Sequence, residues 1–151
     1  MMHLIKPNKL NKGDKVATVT LSWGGPSIFK NRYEIGVKQL EDAFGVKVVP
    51  MSHTLSDDAY IYQNPQKRAQ DLMTAFADPE IKAIISTIGG DETIRLLPYI
   101  DFDVIRKNLK SFSVIPIQRQ TILCVLRPEL RRFTARVSWL VLVKMVGCIF
   151  S

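Results

Sequence analysis

Two glycine pairs, Gly24–Gly25 and Gly89–Gly90, each follow a run of β-branched and aliphatic residues. A Gly-Gly turn exposes backbone N–H groups with no side chain in the way, which suits an anion such as a phosphate or the oxyanion of acyl transfer. The alternative is a tight turn without a ligand, and one glycine pair does not decide between the two. Neither pair opens a G-x-G-x-x-G or P-loop lysine pattern, which counts against nucleotide binding.

Polar residues beside these pairs are further candidates for ligand binding. Asp91, Glu92 and Arg95 follow the second pair and could fix a polar substrate. A helix start with acids in its first turn and Arg one turn later gives the same spacing, so this alternative stays open. Ser22 ends the first predicted strand near the same place and could bind substrate or only pack.

Histidine and cysteine are too sparse to indicate a metal centre. His3 and His53 have no acidic or cysteine neighbour at ligand spacing, so we expect ordinary surface residues. Cys124 and Cys148 lie 24 positions apart with no histidine nearby, which fits neither a metal site nor a disulfide framework. The sequence implies no metal and no cofactor.

The elements that must position the glycine pairs are strands alternating with helices. Runs rich in valine and isoleucine predict strands near 16–21, 46–49 and 82–87, and a fourth strand follows a short helix over 101–108. This order predicts an α/β fold, a parallel sheet with flanking helices of Rossmann or flavodoxin type. Ligands of such sheets bind at the carboxyl ends of the strands, where both glycine pairs fall.

Three more helices are predicted around these strands, besides the short one over 101–108. The first begins at Pro26 and ends before Gly45. Its apolar residues at helical spacing are Phe29, Tyr33, Val37, Leu40 and Phe44. Residues 52–64 are predicted as a polar loop. Asn64 caps the second helix, which ends at Asp78–Pro79, and its buried stripe comprises Ala69, Leu72, Met73 and Phe76. Asp91 is predicted to cap a third, short helix.

The charge is divided unevenly along the chain. Residues 1–112 carry 15 basic and 13 acidic residues, a net +2, whereas residues 113–151 carry six basic and one acidic, a net +5. The basic excess therefore belongs to a tail, and we expect neither nucleic acid nor membrane as a partner. No apolar run reaches the roughly 18 residues of a membrane helix, and the N-terminus lacks a signal-peptide core, so we expect a cytoplasmic protein.

Two segments, "LNKGDKVATVTLSWGG" and "TIGGDETIRLLPYIDFDVIRKN", and the "KSF" that follows them resemble the LD-carboxypeptidase family of serine peptidases, including its microcin C7 immunity branch. The resemblance covers residues 7–112. It implies an α/β N-terminal domain, a separate C-terminal domain, and a Ser–Glu–His triad that hydrolyses an L,D-amide or related bond of a small peptide. It also implies oxyanion-hole donors at Gly89 and Gly90, and it is compatible with a homodimer in intact relatives.

The sequence departs from the family after Phe112, where a Gly-Tyr-Ser-Asp nucleophile elbow should follow. One nucleotide restored after the Phe112 codon, with suitable synonymous codons, turns "SVIPIQRQTI" into Ile-Gly-Tyr-Ser-Asp-Thr-Thr-Ala-Asn-His. The nucleophilic serine would then fall at Pro116. The same frame turns "RRFTARVSWLVLVKMVG" into Ser-Ser-Phe-Tyr-Gly-Pro-Gly-Val-Met-Ala-Gly-Phe-Gly-Glu-Asn-Gly-Gly, which also resembles the family.

The sequence thus predicts an N-terminal domain over 1–112 and an out-of-frame tail over 113–151, with the C-terminal domain missing. Such a chain lacks the nucleophile, Glu and His, and we expect it to be inactive. Two alternatives remain: an α/β module that binds a small molecule or anion without catalysis, and a basic protein that binds nucleic acid or membrane through its tail.

Overall fold

Four parallel strands form the sheet in the computed structural model, which describes residues 9–113. In the order β2-β1-β3-β4 across the sheet, they are β1 (Lys15–Val19), β2 (Lys47–Pro50), β3 (Ile81–Ser86) and β4 (Ser111–Ser113). The parallel α/β architecture is confirmed, and the first three strands lie within two residues of their predicted bounds.

The helices connect these strands. They are α1 (Gly25–Ile28), α2 (Lys30–Phe44), α3 (Asp58–Gln63), α4 (Pro65–Ala77), a 3₁₀ helix (Asp91–Tyr99) and α5 (Phe102–Lys107). The chain leaves β1 toward β2 on one side of it, and then returns past β1 to form β3 on the other side. The order of the strands therefore reverses between β1 and β3, and a crevice is expected at the carboxyl ends of these two strands.

Apolar residues are buried on both faces of the sheet. One cluster lies beneath α4, the 3₁₀ helix and α5, and comprises Ala17, Val19, Leu21, Ala69, Leu72, Ala75, Phe76, Ile81, Ile84, Leu96 and Ile105. A smaller cluster lies beneath α2 and comprises Val16, Leu40, Val46, Val48 and Ala83. Because successive side chains of a strand point to opposite faces, Val16 and Ala17 belong to different clusters.

The helix predicted from Pro26 to Phe44 is divided in two. Phe29, with φ −113° and ψ 52°, is both the C-cap of α1 and the N-cap of α2. Within α2 only Leu40 is buried, and Phe29 and Phe44 at the two ends are exposed, so the predicted stripe packs only through its middle. The predicted stop is confirmed: Gly45 adopts a left-handed φ of 65° and its N–H donates to the carbonyl of Glu41.

The prediction of a polar loop over 52–64 is wrong for its second half, which forms α3. The Asp57 carboxylate accepts a hydrogen bond from the Tyr60 N–H at 2.9 Å, a side-chain cap, and Ile61 is buried. Asn64 lies at the N-cap position of α4 as predicted, but its side chain does not cap. Its Nδ2 instead donates to the carbonyl of Tyr60 and closes the end of α3.

Candidate functional site

The loops that follow β1 and β3 meet at the carboxyl edge of the sheet. Ser22 in the first loop is fully buried, and a Cβ atom built at Gly90 in the second loop would lie 2.0 Å from Ser22 Oγ. A side chain at position 90 would therefore displace one of the two loops. The predicted candidates Ser22 and Gly90 are in contact, and glycine is required at position 90 by this close approach.

Three threonine side chains tie the loops at this edge together. Thr20 Oγ1 donates to the carbonyl of Thr54 at 2.8 Å and lies 2.9 Å from Thr87 Oγ1. Thr54 Oγ1 donates to the carbonyl of Thr18 at 2.6 Å. These bonds link the ends of β1, β2 and β3 without using the glycine amides.

The two glycine pairs differ in what their amides do. The N–H of Gly24 donates to Asp58 Oδ1 at 2.7 Å, and the N–H of Gly25 donates to the carbonyl of Trp23 at 2.9 Å. In residues 9–113, the N–H groups of Gly89 and Gly90 donate no hydrogen bond, and Gly90 contributes only its carbonyl, to Thr93. Of the two pairs, only the second therefore has backbone donors that are unpaired within the described residues and could serve an anion.

The charged residues after Gly90 are placed in the 3₁₀ helix. Asp91 was predicted as its cap, but Gly90 takes the N-cap position and exposed Asp91 is the first helical residue. Arg95 Nη1 donates to Glu92 Oε2 at 2.9 Å and to the carbonyl of Tyr62 at 3.0 Å. Its guanidinium also lies over the Tyr62 ring, 4.7 Å from the centroid, and the bond to Glu92 raises the pKa of Arg95. Glu92 and Arg95 thus form a neutral, partly exposed pair beside the glycine turn.

Sequence reasoning missed two charged residues of α4 that support the site. Arg68 is fully buried, and its Nη1 donates to the carbonyls of Leu21 at 2.7 Å and Ser22 at 2.9 Å. Asp71, also buried, accepts from the N–H of His53 at 2.8 Å. Both residues fall at helical spacing on the same side as Ala69 and Leu72, so a charge within the apolar stripe was the available signal.

The prediction that His53 is an ordinary surface residue is wrong. His53 Nδ1 lies 2.8 Å from Asp71 Oδ1, and the imidazole stacks on the Tyr60 ring with centroids 5.8 Å apart. Its side chain is only 22% exposed. The pair fixes the loop after β2, because Asp71 holds both the backbone and the ring of the same residue.

Several predicted features lie outside the described residues: His3, Pro116, both cysteines and the tail beyond Ser113. In the described part of the chain, no group of three or more His, Cys, Asp or Glu side chains could hold a metal ion. No helix within residues 9–113 is long and apolar enough to cross a membrane.

The fold and the turn at Gly89–Gly90 define a class of protein domain. It is a doubly wound α/β domain that presents backbone donors at the point where its strand order reverses. Residues 16–113 match the family model described as the LD-carboxypeptidase N-terminal domain. The chain belongs to the LD-carboxypeptidase family.

Named relatives agree with this assignment. The chain is 32% identical over 103 residues to the putative carboxypeptidase YocD of Bacillus subtilis, a match that covers 68% of this chain and 31% of the relative. It is 34% identical over 108 residues to the microcin C7 self-immunity protein MccF of Escherichia coli, which covers 72% of this chain and 31% of MccF. The chain thus spans about a third of the length of these relatives.

Solved structures give the same result. The apo structure of wild-type MccF superposes with a TM-score of 0.73 at 30% identity, covering 81% of this chain and 36% of that chain. An MccF-like protein from Bacillus anthracis superposes equally well, at 31% identity over 81% of this chain and 37% of that chain.

Proposed function

We propose that this chain is the N-terminal part of a serine LD-carboxypeptidase-type hydrolase, in which Gly89 and Gly90 supply an N–H group to the oxyanion hole. The observation that carries the proposal is the contrast between the two glycine pairs. Gly24 and Gly25 have intramolecular acceptors, whereas the amides of Gly89 and Gly90 have none within residues 9–113. Unpaired donors at a sheet edge are what a developing oxyanion requires.

The sheet supports the same location for the nucleophile. Strand β4 pairs with β3 in parallel, with Ser113 beside Ile85, so whatever follows β4 starts at the edge that carries Gly89–Gly90. In the restored frame, the serine of the nucleophile elbow would lie three residues after the end of β4. In that enzyme the serine would attack the amide carbonyl, a histidine would act as base and a glutamate would orient it.

Substrate binding is proposed for the residues around the turn. Asp91 is exposed, and its carboxylate has no hydrogen-bond or ion-pair partner within residues 9–113, while Glu92 and Arg95 can open their mutual pair toward a polar ligand. Ser22 is buried behind Gly90, and we assign it to the back wall of the site. The substrate class is a small peptide amide, as the name of another relative, a probable murein peptide carboxypeptidase, indicates for that protein. We place the protein in the cytoplasm.

The 151-residue chain itself is proposed to be inactive. Pro116 stands where the shifted frame would encode serine, and the family match ends at residue 113, next to the proposed loss of a nucleotide. The experiment compares the chain with the product of a gene in which one nucleotide is restored after the Phe112 codon. We expect no release of D-alanine from an L,D-tetrapeptide by the chain, and turnover by the restored protein.

The matched control replaces the restored serine with alanine, which should abolish turnover while leaving the fold unchanged. Turnover by the 151-residue chain that depends on a residue in 1–112 would refute its inactivity. An inactive restored protein would refute the hydrolase proposal.

A second candidate is an anion-binding module without catalysis, favoured by the same unpaired amides of Gly89 and Gly90. Titration of the 151-residue chain with inorganic phosphate and with an L,D-tetrapeptide, followed by Trp23 fluorescence in a Trp139→Phe background, tests it. Binding that Gly90→Ala removes would support this module, and absence of binding would exclude it.

A further inference from the structure

Arg68 is a buried cation without a carboxylate partner in the described part of the chain. It is 1% exposed, and its Nη1 donates to two carbonyls of the loop after β1. Its Nε and Nη2 are buried and have no hydrogen-bond partner among residues 9–113. Burial, followed by the nearby charge of Arg95, lowers the pKa of Arg68, and the negative charge of Glu92 opposes this shift only in part.

Packing alone does not account for a guanidinium in this place. A buried charge that is incompletely paired is costly, and an apolar residue of similar volume is often neutral or stabilising in its place. The neighbour one turn further along α4, Leu72, shows that the stripe accepts such a residue. What an apolar side chain cannot supply is a donor that holds two successive carbonyls.

Those carbonyls belong to the loop that faces the open turn. Arg68 holds the carbonyls of Leu21 and Ser22, and Ser22 Oγ lies where a Cβ at Gly90 would be. A shift of the Ser22 peptide would therefore move the surface against which Gly90 rests. The contacts run from α4 through the loop after β1 to the backbone of Gly90.

We propose that Arg68 is a positioning residue, which sets the Gly89–Gly90 amides by holding the Leu21–Ser22 peptide against Gly90. Its consequence for catalysis rests on the proposed function, whereas its effect on the two loops does not. Both bonds come from the single nitrogen Nη1, which the planar guanidinium holds in place. Lysine keeps the charge but carries it on a flexible stem, so we expect Arg68→Lys to keep the two loops in place only in part.

The experiment uses the full 151-residue chain and hydrogen–deuterium exchange of peptides that cover residues 20–25 and 87–92. Arg68→Met removes the donor and keeps an apolar stem, and Lys67→Met is the matched control, because Lys67 is an exposed neighbouring cation. Loss of hydrogen bonds from a charged donor should accelerate exchange about tenfold or more at the hydrogen-bonded amides of these peptides, which are those of Gly24, Gly25 and Thr87. We expect Arg68→Lys to fall between wild type and Arg68→Met, and Lys67→Met to match wild type.

Exchange in β2 separates positioning from general stability. In the positioning model, exchange over 47–50 stays near wild type while both loops accelerate. Uniform acceleration across the sheet, or unchanged exchange over 87–92, overturns the proposal. Trp23 fluorescence in a Trp139→Phe background gives a second readout, since Trp23 Cδ1 lies 3.8 Å from the Cβ position built at Gly90. An emission spectrum that Arg68→Met leaves unchanged also counts against it.

The catalytic consequence is tested in the restored-frame protein. There Arg68→Lys should lower kcat with little change in KM, because the oxyanion forms only as the reaction proceeds. An unchanged kcat overturns the link to the glycine amides. If the restored protein proves inactive, the proposed function fails, while the exchange experiment still decides the role of Arg68.

Discussion

The two faces of the sheet differ in how they are covered. Among residues 9–113, eleven hydrophobic residues are buried in one cluster beneath α4, the 3₁₀ helix and α5, whereas the cluster beneath α2 has five. We call these the α4 face and the α2 face. The helix on the α2 face buries only Leu40 and leaves Ile35 and Phe44 exposed.

The buried charges follow the same division. Arg68 and Asp71 reach from α4 to the loops after β1 and β2. Within residues 9–113, the side chains of α2 make two polar contacts with the strands: Tyr33 Oη lies 2.8 Å from Thr18 Oγ1, and Glu41 Oε1 accepts from the Val48 N–H at 2.8 Å. The face with the larger apolar cluster thus also holds the loops of the candidate site. A site on flexible loops gains precision when its supports come from a well-packed element.

The sharpest test of this division compares two phenylalanines. Phe76→Ala on the α4 face should lower the free energy of unfolding by about 3–5 kcal/mol, because it leaves a cavity in the larger cluster. Phe44→Ala, at an exposed position of α2, should cost about 0.5 kcal/mol or less. Urea unfolding of the full chain measures both. Equal losses would show that the two faces are equivalent.

A second comparison concerns buried and exposed carboxylates. Asp71→Ala removes the acceptor of the His53 N–H and ring, and should lower the free energy of unfolding by roughly 2–3 kcal/mol. Asp42→Ala on exposed α2 is the control and should change it by less than about 0.5 kcal/mol. Thermal unfolding gives both values, and a small effect at Asp71 would mean that the loop after β2 does not depend on α4.

Substitution of two glycines by alanine should change the free energy of unfolding in opposite directions. Gly90→Ala should destabilise by roughly 1–3 kcal/mol, because the new methyl group overlaps Ser22 Oγ. Gly36 lies inside α2 with nothing within 4 Å of an added Cβ, so Gly36→Ala should stabilise by up to about 1 kcal/mol. Chemical denaturation of the two variants tests both signs. Destabilisation by Gly36→Ala would mean that the α2 face is more closely covered than the structure shows.

The smallest expected effect is a pH dependence on the α2 face. Burial raises the pKa of Tyr33 above its ordinary value of 10.0, and the hydrogen bond with Thr18 opposes this shift. As pH rises above 10.0, the unfolded chain loses the phenolic proton before the folded chain does, so the stability that this group contributes is lost through the folded-state pKa. Tyr33→Phe should remove that part of the decline. The measurement is the free energy of unfolding as a function of pH for both proteins. The same decline in wild type and Tyr33→Phe would contradict this prediction.

Local patterns determined the scaffold of this protein. Runs of valine and isoleucine placed the strands to within two residues, and Gly45 and Asp78 placed the ends of α2 and α4. These features depend on side-chain periodicity and on neighbouring backbone groups, which sequence spacing records. Sequence spacing did not predict α3, because Asp57 caps this helix within a stretch of polar residues that reads as a loop.

Only the tertiary structure decided which glycine turn is open and what holds it. The Asp58 carboxylate accepts a hydrogen bond from the Gly24 N–H, 34 positions away in the sequence. Arg68 donates to the Ser22 carbonyl, 46 positions away. In the sequence, neither glycine pair differs from an ordinary turn. Arg68 and Asp71 likewise look like ordinary charged residues of a helix. Hydrogen-bond partners at such separations meet only when the sheet brings its carboxyl ends together, so folding decided that the amides of Gly89 and Gly90 stay unpaired in the described chain.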